Sequence, residues 1–132
     1  MIARAVRAAL GPRAAGRGEI CVILIGDKEI RKINKRCLGH DTATDVISFP
    51  YDRPAPKAKG VQPFGDIYIG KDAAKRQAAE MGHSLLEELL TLAVHGALHL
   101  IGYDDRKPAE KKRMFARQGA IVRLTLRSHE KR

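Results

Sequence analysis

Two histidines four residues apart, His95 and His99, form the pattern in this chain with the clearest chemical meaning. They follow residues 85–94, a mainly apolar run without Gly or Pro, which predicts a buried helix. Residues four apart on a helix lie on the same face in adjacent turns, so both imidazoles point the same way. Two imidazoles placed in this way can bind one metal ion through Zn–N bonds of roughly 2.0–2.1 Å. The spacing therefore predicts part of a metal site.

The residues after this helix supply the candidate third ligand. Gly102 predicts the end of the helix, because Gly adopts the left-handed conformation without a Cβ penalty. A turn there brings Asp104 or Asp105 back toward the imidazoles; Asp105 is the preferred ligand and Asp104 stays open as the alternative. Three protein ligands leave a fourth position for water, which is typical of a catalytic site. The alternative interpretation is a pair of ordinary polar histidines followed by a solvated turn that caps the next helix.

The net charge of +10 is unevenly distributed along the 132 residues. Residues 1–18 carry four basic residues and no acidic ones, and residues 106–132 carry ten basic and two acidic ones. The segment between them, which contains the candidate ligands, has a slight acidic excess. Basic flanks of this kind favour contact with a polyanion such as RNA or DNA, although liberal use of Arg for solubility gives the same composition. The candidate RNA-binding residues in the second flank are Arg106, Lys111, Lys112 and Arg113.

Several protein classes do not fit the composition. No apolar run approaches the roughly 20 residues needed to span a bilayer, so we expect that this chain is not a membrane protein. Residues 1–7 contain scattered Arg and no long apolar segment, which argues against a secretory signal. Cys21 and Cys37 form no CxxC motif and are too few for a disulfide framework, so we expect a cytoplasmic protein.

The hydrophobic pattern predicts the elements that must position the histidines, within a single domain over residues 1–132. Helices are predicted at 2–10, 28–37, 71–81, 85–101 and 108–126, and strands at 19–25, 45–50 and 66–69. Asp27 and Ser84 are the predicted N-caps of the second and fourth helices. Residues 53–62, rich in Pro and Lys, are expected to form a mobile loop, and residues 128–132 a frayed basic tail. This order predicts an α+β fold, with a small mixed sheet, helices mainly on one face, and the metal site on a central helix and the turn after it.

Four blocks of the sequence resemble the YbeY family of bacterial metal-dependent endoribonucleases, which act in ribosomal RNA maturation. The blocks are residues 33–34, 41–50, 65–67 and 95–105. The last block reproduces the family signature H-G-x-L-H-L-x-G-Y-D-H except for its final His. The resemblance implies a small α+β fold and cleavage of single-stranded RNA in rRNA maturation and ribosome quality control. It also implies that a metal-activated water or 2′-OH attacks the phosphodiester, and that precursor rRNA and the ribosome or its small-subunit components are partners.

Residue by residue, the resemblance implies that His95 and His99 are metal ligands and that Asp105 takes the place of the third ligating His. The implied cofactor is one divalent ion, with Zn²⁺ expected and Mn²⁺ or Ni²⁺ as alternatives. The family commonly has Arg where this chain has Leu38, and Arg36 is the candidate substitute for contact with RNA. No general base or other catalytic residue is assigned beyond the ligands.

Two other functions are alternatives to an endoribonuclease. Zinc peptidases share the H-x-x-x-H spacing, but they place a general-base Glu directly after the first His, where this chain has Gly96. The second alternative is a non-catalytic, metal-stabilised RNA-binding or ribosome-assembly factor, which the changes at Leu38 and Asp105 favour.

Overall fold

The computed structural model of the chain describes residues 1–15, 19–50 and 63–130. Within these ranges the chain forms five helices and three strands in the predicted order, which confirms the α+β class. The helices are α1 (Ile2–Ala15), α2 (Asp27–Leu38), α3 (Lys71–Met81), α4 (Leu85–Leu100) and α5 (Pro108–Glu130). The strands are β1 (Glu19–Ile25), β2 (Val46–Pro50) and β3 (Pro63–Gly70). None of the described helices is both long and apolar enough to span a membrane.

The three strands form a mixed sheet in the order β1-β3-β2. Strand β3 pairs in parallel with β1 and antiparallel with β2, so Ile67 lies between Val22 and Ser48. Ile67 and Ile69 are fully buried, whereas Tyr68 between them is half-buried. Because successive strand residues face opposite sides, this alternation identifies the side of β3 that faces the core.

Helix α4 packs on β2 and β3, and helices α1, α3 and α5 pack against α4. The helix approaches the sheet closely at Gly96, where a Cβ atom would lie 2.7 Å from Ile67 Cγ2 and 2.9 Å from Ser48 Oγ. The Ser48 hydroxyl donates a hydrogen bond of 3.0 Å to the Gly96 carbonyl. These contacts fix the half of α4 that carries the two histidines.

The ends of α4 follow the predicted signals. The Ser84 hydroxyl accepts a hydrogen bond of 3.1 Å from the Glu87 amide, as an N-cap does. At the other end, the Tyr103 amide donates to the Leu98 carbonyl at 3.0 Å, and the Gly102 amide donates to the His99 carbonyl at 3.1 Å. This pair of bonds is a Schellman motif, and it requires the positive φ of 103° that Gly102 adopts. The chain therefore turns where the sequence predicted.

Two predicted boundaries were wrong, and a third was correct in part. The first helix breaks at Gly11 as predicted, where φ is 76° and ψ is 170°, but a second helical stretch continues α1 to Ala15. Strand β3 begins at Pro63, because its pairing with β1 extends beyond the short apolar run. Helix α5 continues to Glu130 because no Gly or Pro follows Leu126, so residues 128–130 are helical and not a frayed tail. The predicted loop at 53–62 and residues 131–132 lie outside the described residues.

The predicted N-cap of α2 was also wrong. Gly26 occupies the cap position, and Asp27 is the first helical residue. The Asp27 amide donates a hydrogen bond of 2.9 Å to the carboxylate of Asp72, which lies at the start of α3. The Asp27 carboxylate in turn accepts hydrogen bonds from Arg76, at 2.9 and 3.2 Å. A neighbouring helix therefore caps α2, which no local pattern predicts.

Candidate metal centre

His95, His99 and Asp105 lie together at the C-terminal end of α4 and the turn after it. The two Nε2 atoms are 3.1 Å apart. Asp105 Oδ2 lies 3.8 Å from His95 Nε2 and 3.7 Å from His99 Nε2. One ligand atom from each of the three residues therefore lies within 4.8 Å of the other two, which allows all three to bind one metal ion. The exposed fraction rises from 15% for the His95 side chain to 39% for that of Asp105, so the group opens to solvent on one side.

The geometry of these three donors fits a divalent ion. In a tetrahedral site with bonds of about 2.0–2.1 Å, two ligand atoms lie about 3.3–3.4 Å apart. The separation of 3.1 Å between the two imidazoles is close to that value, and Asp105 needs to approach by only a few tenths of an ångström. Two imidazoles and one carboxylate form a donor set that zinc accepts, with room for a further ligand.

A hydrogen bond that His95 donates to Gln118 on α5 fixes the orientation of the His95 ring. His95 Nδ1 and Gln118 Oε1 are 2.7 Å apart, and the Gln118 side chain is buried. Because the amide oxygen only accepts hydrogen bonds, His95 Nδ1 must carry the proton. In the neutral imidazole this leaves the lone pair on Nε2, the atom that faces His99 and Asp105. Partners of this kind orient metal-binding histidines in other proteins.

The surroundings also favour the neutral form of His95. Burial lowers the pKa of this imidazole below its usual value, and the neighbouring His99 ring acts in the same direction. The hydrogen bond with Gln118 and the charges of Asp105 and Asp45 oppose the shift but do not cancel it. A neutral imidazole is the form that can bind a metal ion.

The structure separates the two aspartates that the sequence left as alternatives. Asp104 accepts hydrogen bonds from the Arg106 side chain at 2.9–3.1 Å and from the Arg106 backbone amide at 2.9 Å. These bonds lower the pKa of Asp104 to about 2. The Asp104 carboxylate is therefore paired with Arg106, whereas Asp105 lies beside the two imidazoles.

The position after the first histidine faces away from this group. A side chain at Gly96 would collide with Ile67 and Ser48 in the sheet. A glutamate placed there, as in zinc peptidases, would have no room and would point into the core. The peptidase geometry is therefore incompatible with the way α4 packs.

A cavity of about 350 Å³ adjoins His95 between α3, α4 and α5. Its acidic groups already have partners among the described residues. Gln77 Nε2 donates to Asp45 Oδ2 at 3.2 Å, and His83 Nε2 lies 2.6 Å from the buried carboxylate of Glu88. Glu88, which lies one heptad before His95, is thus held by His83 and not free beside the donor atoms.

The basic residues predicted to bind RNA lie on α2, on α5 and in the turn that joins α4 to α5. Lys111, Lys112 and Arg113 are exposed on the first turns of α5. Lys111 places its Nζ atom 5.7 Å from the centre of the Phe115 ring. Arg113 borders a different cavity, beside the Schellman turn. Arg106, although paired with Asp104, keeps 86% of its side chain exposed.

Leu38 lies at the rim of the candidate metal centre. It lines a cavity of about 380 Å³ together with His95, His99 and Asp105, and half of its surface is exposed. Arg36 lies two residues earlier on α2, about 200° around the helix axis. Arg36 is exposed and does not line this cavity, so the structure does not bring it to the place of Leu38.

Sequence reasoning missed two residues that touch this centre, Gln118 and Phe115. Gln118 had a signal, because it is a polar residue within the buried face of α5 that Met114, Ile121 and Val122 define. The ring of Phe115 lies 5.7 Å from that of His95, centre to centre, yet 43% of Phe115 is exposed. No local pattern indicates that α5 passes beside the histidines.

The comparison with protein families gives one family over nearly the whole chain. The model described as "Endoribonuclease YbeY" matches residues 2–125.

Individual relatives agree with that match. A protein of Elusimicrobium minutum named "Endoribonuclease YbeY" is 50% identical over 117 residues, which cover 89% of this chain and 81% of the relative. A protein of the same name from Staphylococcus carnosus is 44% identical over 107 residues, covering 79% of this chain and 70% of the relative. Among solved structures, the solution structure of a Thermotoga maritima protein matches with a TM-score of 0.59 and 27% identity, covering 92% of this chain and 76% of that one.

Proposed function

This chain belongs to the YbeY family of endoribonucleases, and we propose that it cleaves single-stranded RNA in rRNA maturation at a metal centre formed by His95, His99 and Asp105. The proposed cofactor is one divalent ion. Zn²⁺ is favoured over Mn²⁺ because two of its three ligands are imidazoles, and over Ni²⁺ because the separation of 3.1 Å between the two Nε2 atoms is close to that of a tetrahedral site. The proposed partners are precursor rRNA and ribosomal components, and the proposed compartment is the cytoplasm.

The observation that carries this proposal is the convergence of three ligand atoms at one end of α4. Two of them come from one helix face, and the third comes from a turn that the Schellman motif at Gly102 creates. The fixed tautomer of His95 supports the assignment, because it directs a lone pair toward the other two donors. The side chains of His99 and Asp105 are 32% and 39% exposed, so a phosphodiester can approach the group from solvent.

The residues around the centre have separate parts in the proposed reaction. When bound, a divalent ion supplies a Lewis acid for a phosphodiester oxygen and lowers the pKa of water. His95, His99 and Asp105 hold the ion, and Gln118 orients His95. The exposed cations Lys111, Lys112 and Arg113 on α5 attract the RNA backbone, together with Arg106 in the turn before α5.

Elemental analysis of the purified protein tests the ligand set. We expect near one zinc per wild-type chain, and loss of that zinc in the His99→Ala and Asp105→Asn variants. Asp104→Asn is the matched control, because it removes a neighbouring carboxylate that is paired with Arg106. Equal zinc in the Asp104 and Asp105 variants would contradict the assignment of Asp105, provided that circular dichroism shows both to be folded.

Cleavage of a labelled single-stranded RNA tests the reaction. We expect cleavage by the zinc-loaded wild-type protein and none by His99→Ala purified in the same way. RNA binding should persist in that variant, because the basic residues of α5 are unchanged. Zinc and RNA binding by the wild-type protein without cleavage would instead favour the non-catalytic RNA-binding factor.

A further inference from the structure

Phe115 is an exposed aromatic residue beside the candidate metal centre. The chain has three Phe, three Tyr and no Trp. Among the described residues, the other large apolar side chains with comparable exposure are aliphatic or Met. Phe49 and Tyr68 instead contact each other edge-to-face in the sheet, and Tyr103 packs against the core. Phe115 therefore differs from the other described aromatic residues, because 43% of its surface is open to solvent.

The surroundings of Phe115 combine a cavity with a positive charge. Its ring and that of His95 line the same cavity of about 350 Å³, a volume at the lower end of the range for ligand pockets, about 300–1,000 Å³. Lys111, one turn earlier on α5, places its Nζ atom 5.7 Å from the ring centre, near the limit of about 6 Å for a cation–π contact. The ammonium is exposed and held weakly, so it can move to a phosphate.

We propose that Phe115 is a stacking platform for an unpaired nucleobase of the RNA substrate, and that Lys111 contacts the adjoining phosphate. This subsite rests on the proposed endoribonuclease function. A base stacked on the ring displaces the Lys111 ammonium from it, and the same ammonium then pairs with the backbone. The base lies next to His95, which places its phosphate close to the three donor atoms.

A nucleobase fits this position better than an apolar partner does. The ring is flanked by Lys111 on its own helix and by the polar residues Gln77, Thr91 and Asp45 across the cavity. These groups already hydrogen-bond within the protein, Gln77 to Asp45 at 3.2 Å and Thr91 to the Glu87 carbonyl at 2.8 Å. Their remaining donor and acceptor positions face the cavity, and an apolar side chain would desolvate those positions without satisfying them. A base instead offers a π face to the ring and hydrogen-bonding edges to the polar wall. Stacking needs an unpaired base, so the subsite predicts a preference for single-stranded over duplex RNA.

Tryptophan fluorescence tests the contact directly, because the chain has no other Trp. In the Phe115→Trp variant, a single-stranded 2′-O-methyl oligoribonucleotide should quench the emission strongly. The control is Leu124→Trp on the same helix, where the native residue is 62% exposed; its emission should not change. A duplex of the same sequence, and an oligomer of abasic ribose phosphates, should leave both emissions unchanged. Equal quenching in the two variants, or quenching by the abasic oligomer, would overturn the stacking contact.

Binding measurements separate this subsite from the proposed function. Phe115→Ala should weaken binding of the single-stranded oligonucleotide by about 10-fold, the order expected for one lost base stack. Leu124→Ala should bind as the wild type does, and both variants should retain their zinc. If the wild type binds and cleaves RNA but the two variants bind equally, the subsite is wrong and the proposed function stands. If the wild type binds no RNA, both are wrong.

Discussion

Replacement of Gly96 by Ala tests whether close packing of α4 on the sheet positions the metal centre. The added Cβ would lie 2.7 Å from Ile67 Cγ2 and 2.9 Å from Ser48 Oγ, closer than Cβ atoms approach other heavy atoms in folded proteins. Neither neighbour can yield easily. Ile67 is fully buried in the central strand, and Ser48 is held by its hydrogen bond to the Gly96 carbonyl.

Two opposing effects set the size of the change in stability. Overpacking of a core costs about 1–3 kcal/mol, and two fixed neighbours favour the upper part of that range. Ala in a helix interior is more favourable than Gly by about 1 kcal/mol. The net expectation for Gly96→Ala is a loss of about 1–2 kcal/mol in the free energy of unfolding. In a chain of this length that corresponds to a fall in Tm of about 4–8 °C.

Thermal unfolding followed by circular dichroism measures this difference. Gly119→Ala on α5 is the matched control, because the nearest atom to its added Cβ is Arg123 Nη1 at 3.0 Å, the end of a flexible exposed side chain. Gly119→Ala should therefore gain up to about 1 kcal/mol from helix propensity alone. Opposite signs for the two variants are expected. A rise in Tm for Gly96→Ala as large as that for Gly119→Ala would refute the close packing of α4 on Ile67.

Two further predictions concern the side chains around the centre. Gln118→Leu keeps the buried volume but removes the acceptor for His95 Nδ1, so zinc affinity measured against a chelating dye should fall by about 10–100-fold. Gln118→Glu keeps an acceptor and should retain most of the zinc affinity. Equal zinc affinity in the wild type and both variants would contradict the orienting role of Gln118. Arg106→Gln should raise the pKa of Asp104 from about 2 toward its ordinary value, as read from its carboxyl NMR signal. Because the folded-state pKa is lowered, the contact with Arg106 stabilises the fold above about pH 4 and is lost as the pH falls toward 2. An unchanged Asp104 titration in the variant would show that the contact does not form in solution.

Local patterns were sufficient for the type and order of the elements and for the two histidines of the candidate metal centre. The four-residue spacing of His95 and His99, the Gly at the turn and the capping Ser84 are signals carried within about one or two helical turns. The structure reproduces each of them, because the hydrogen bonds that form these caps and turns join residues no more than five positions apart in the chain. The same locality explains why the order of helices and strands was predicted correctly.

Only the tertiary structure decided which groups meet across elements. The carboxylate of Asp72 caps α2, Gln118 reaches His95 from 23 residues away, and Leu38 lies at the rim of the centre. Asp104 and Asp105 are adjacent and chemically alike in the sequence, and their roles separate only because the turn directs one toward Arg106 and the other toward the imidazoles. Such contacts depend on how helices pack in three dimensions, and side-chain chemistry alone does not determine the distance between residues that are far apart in the chain.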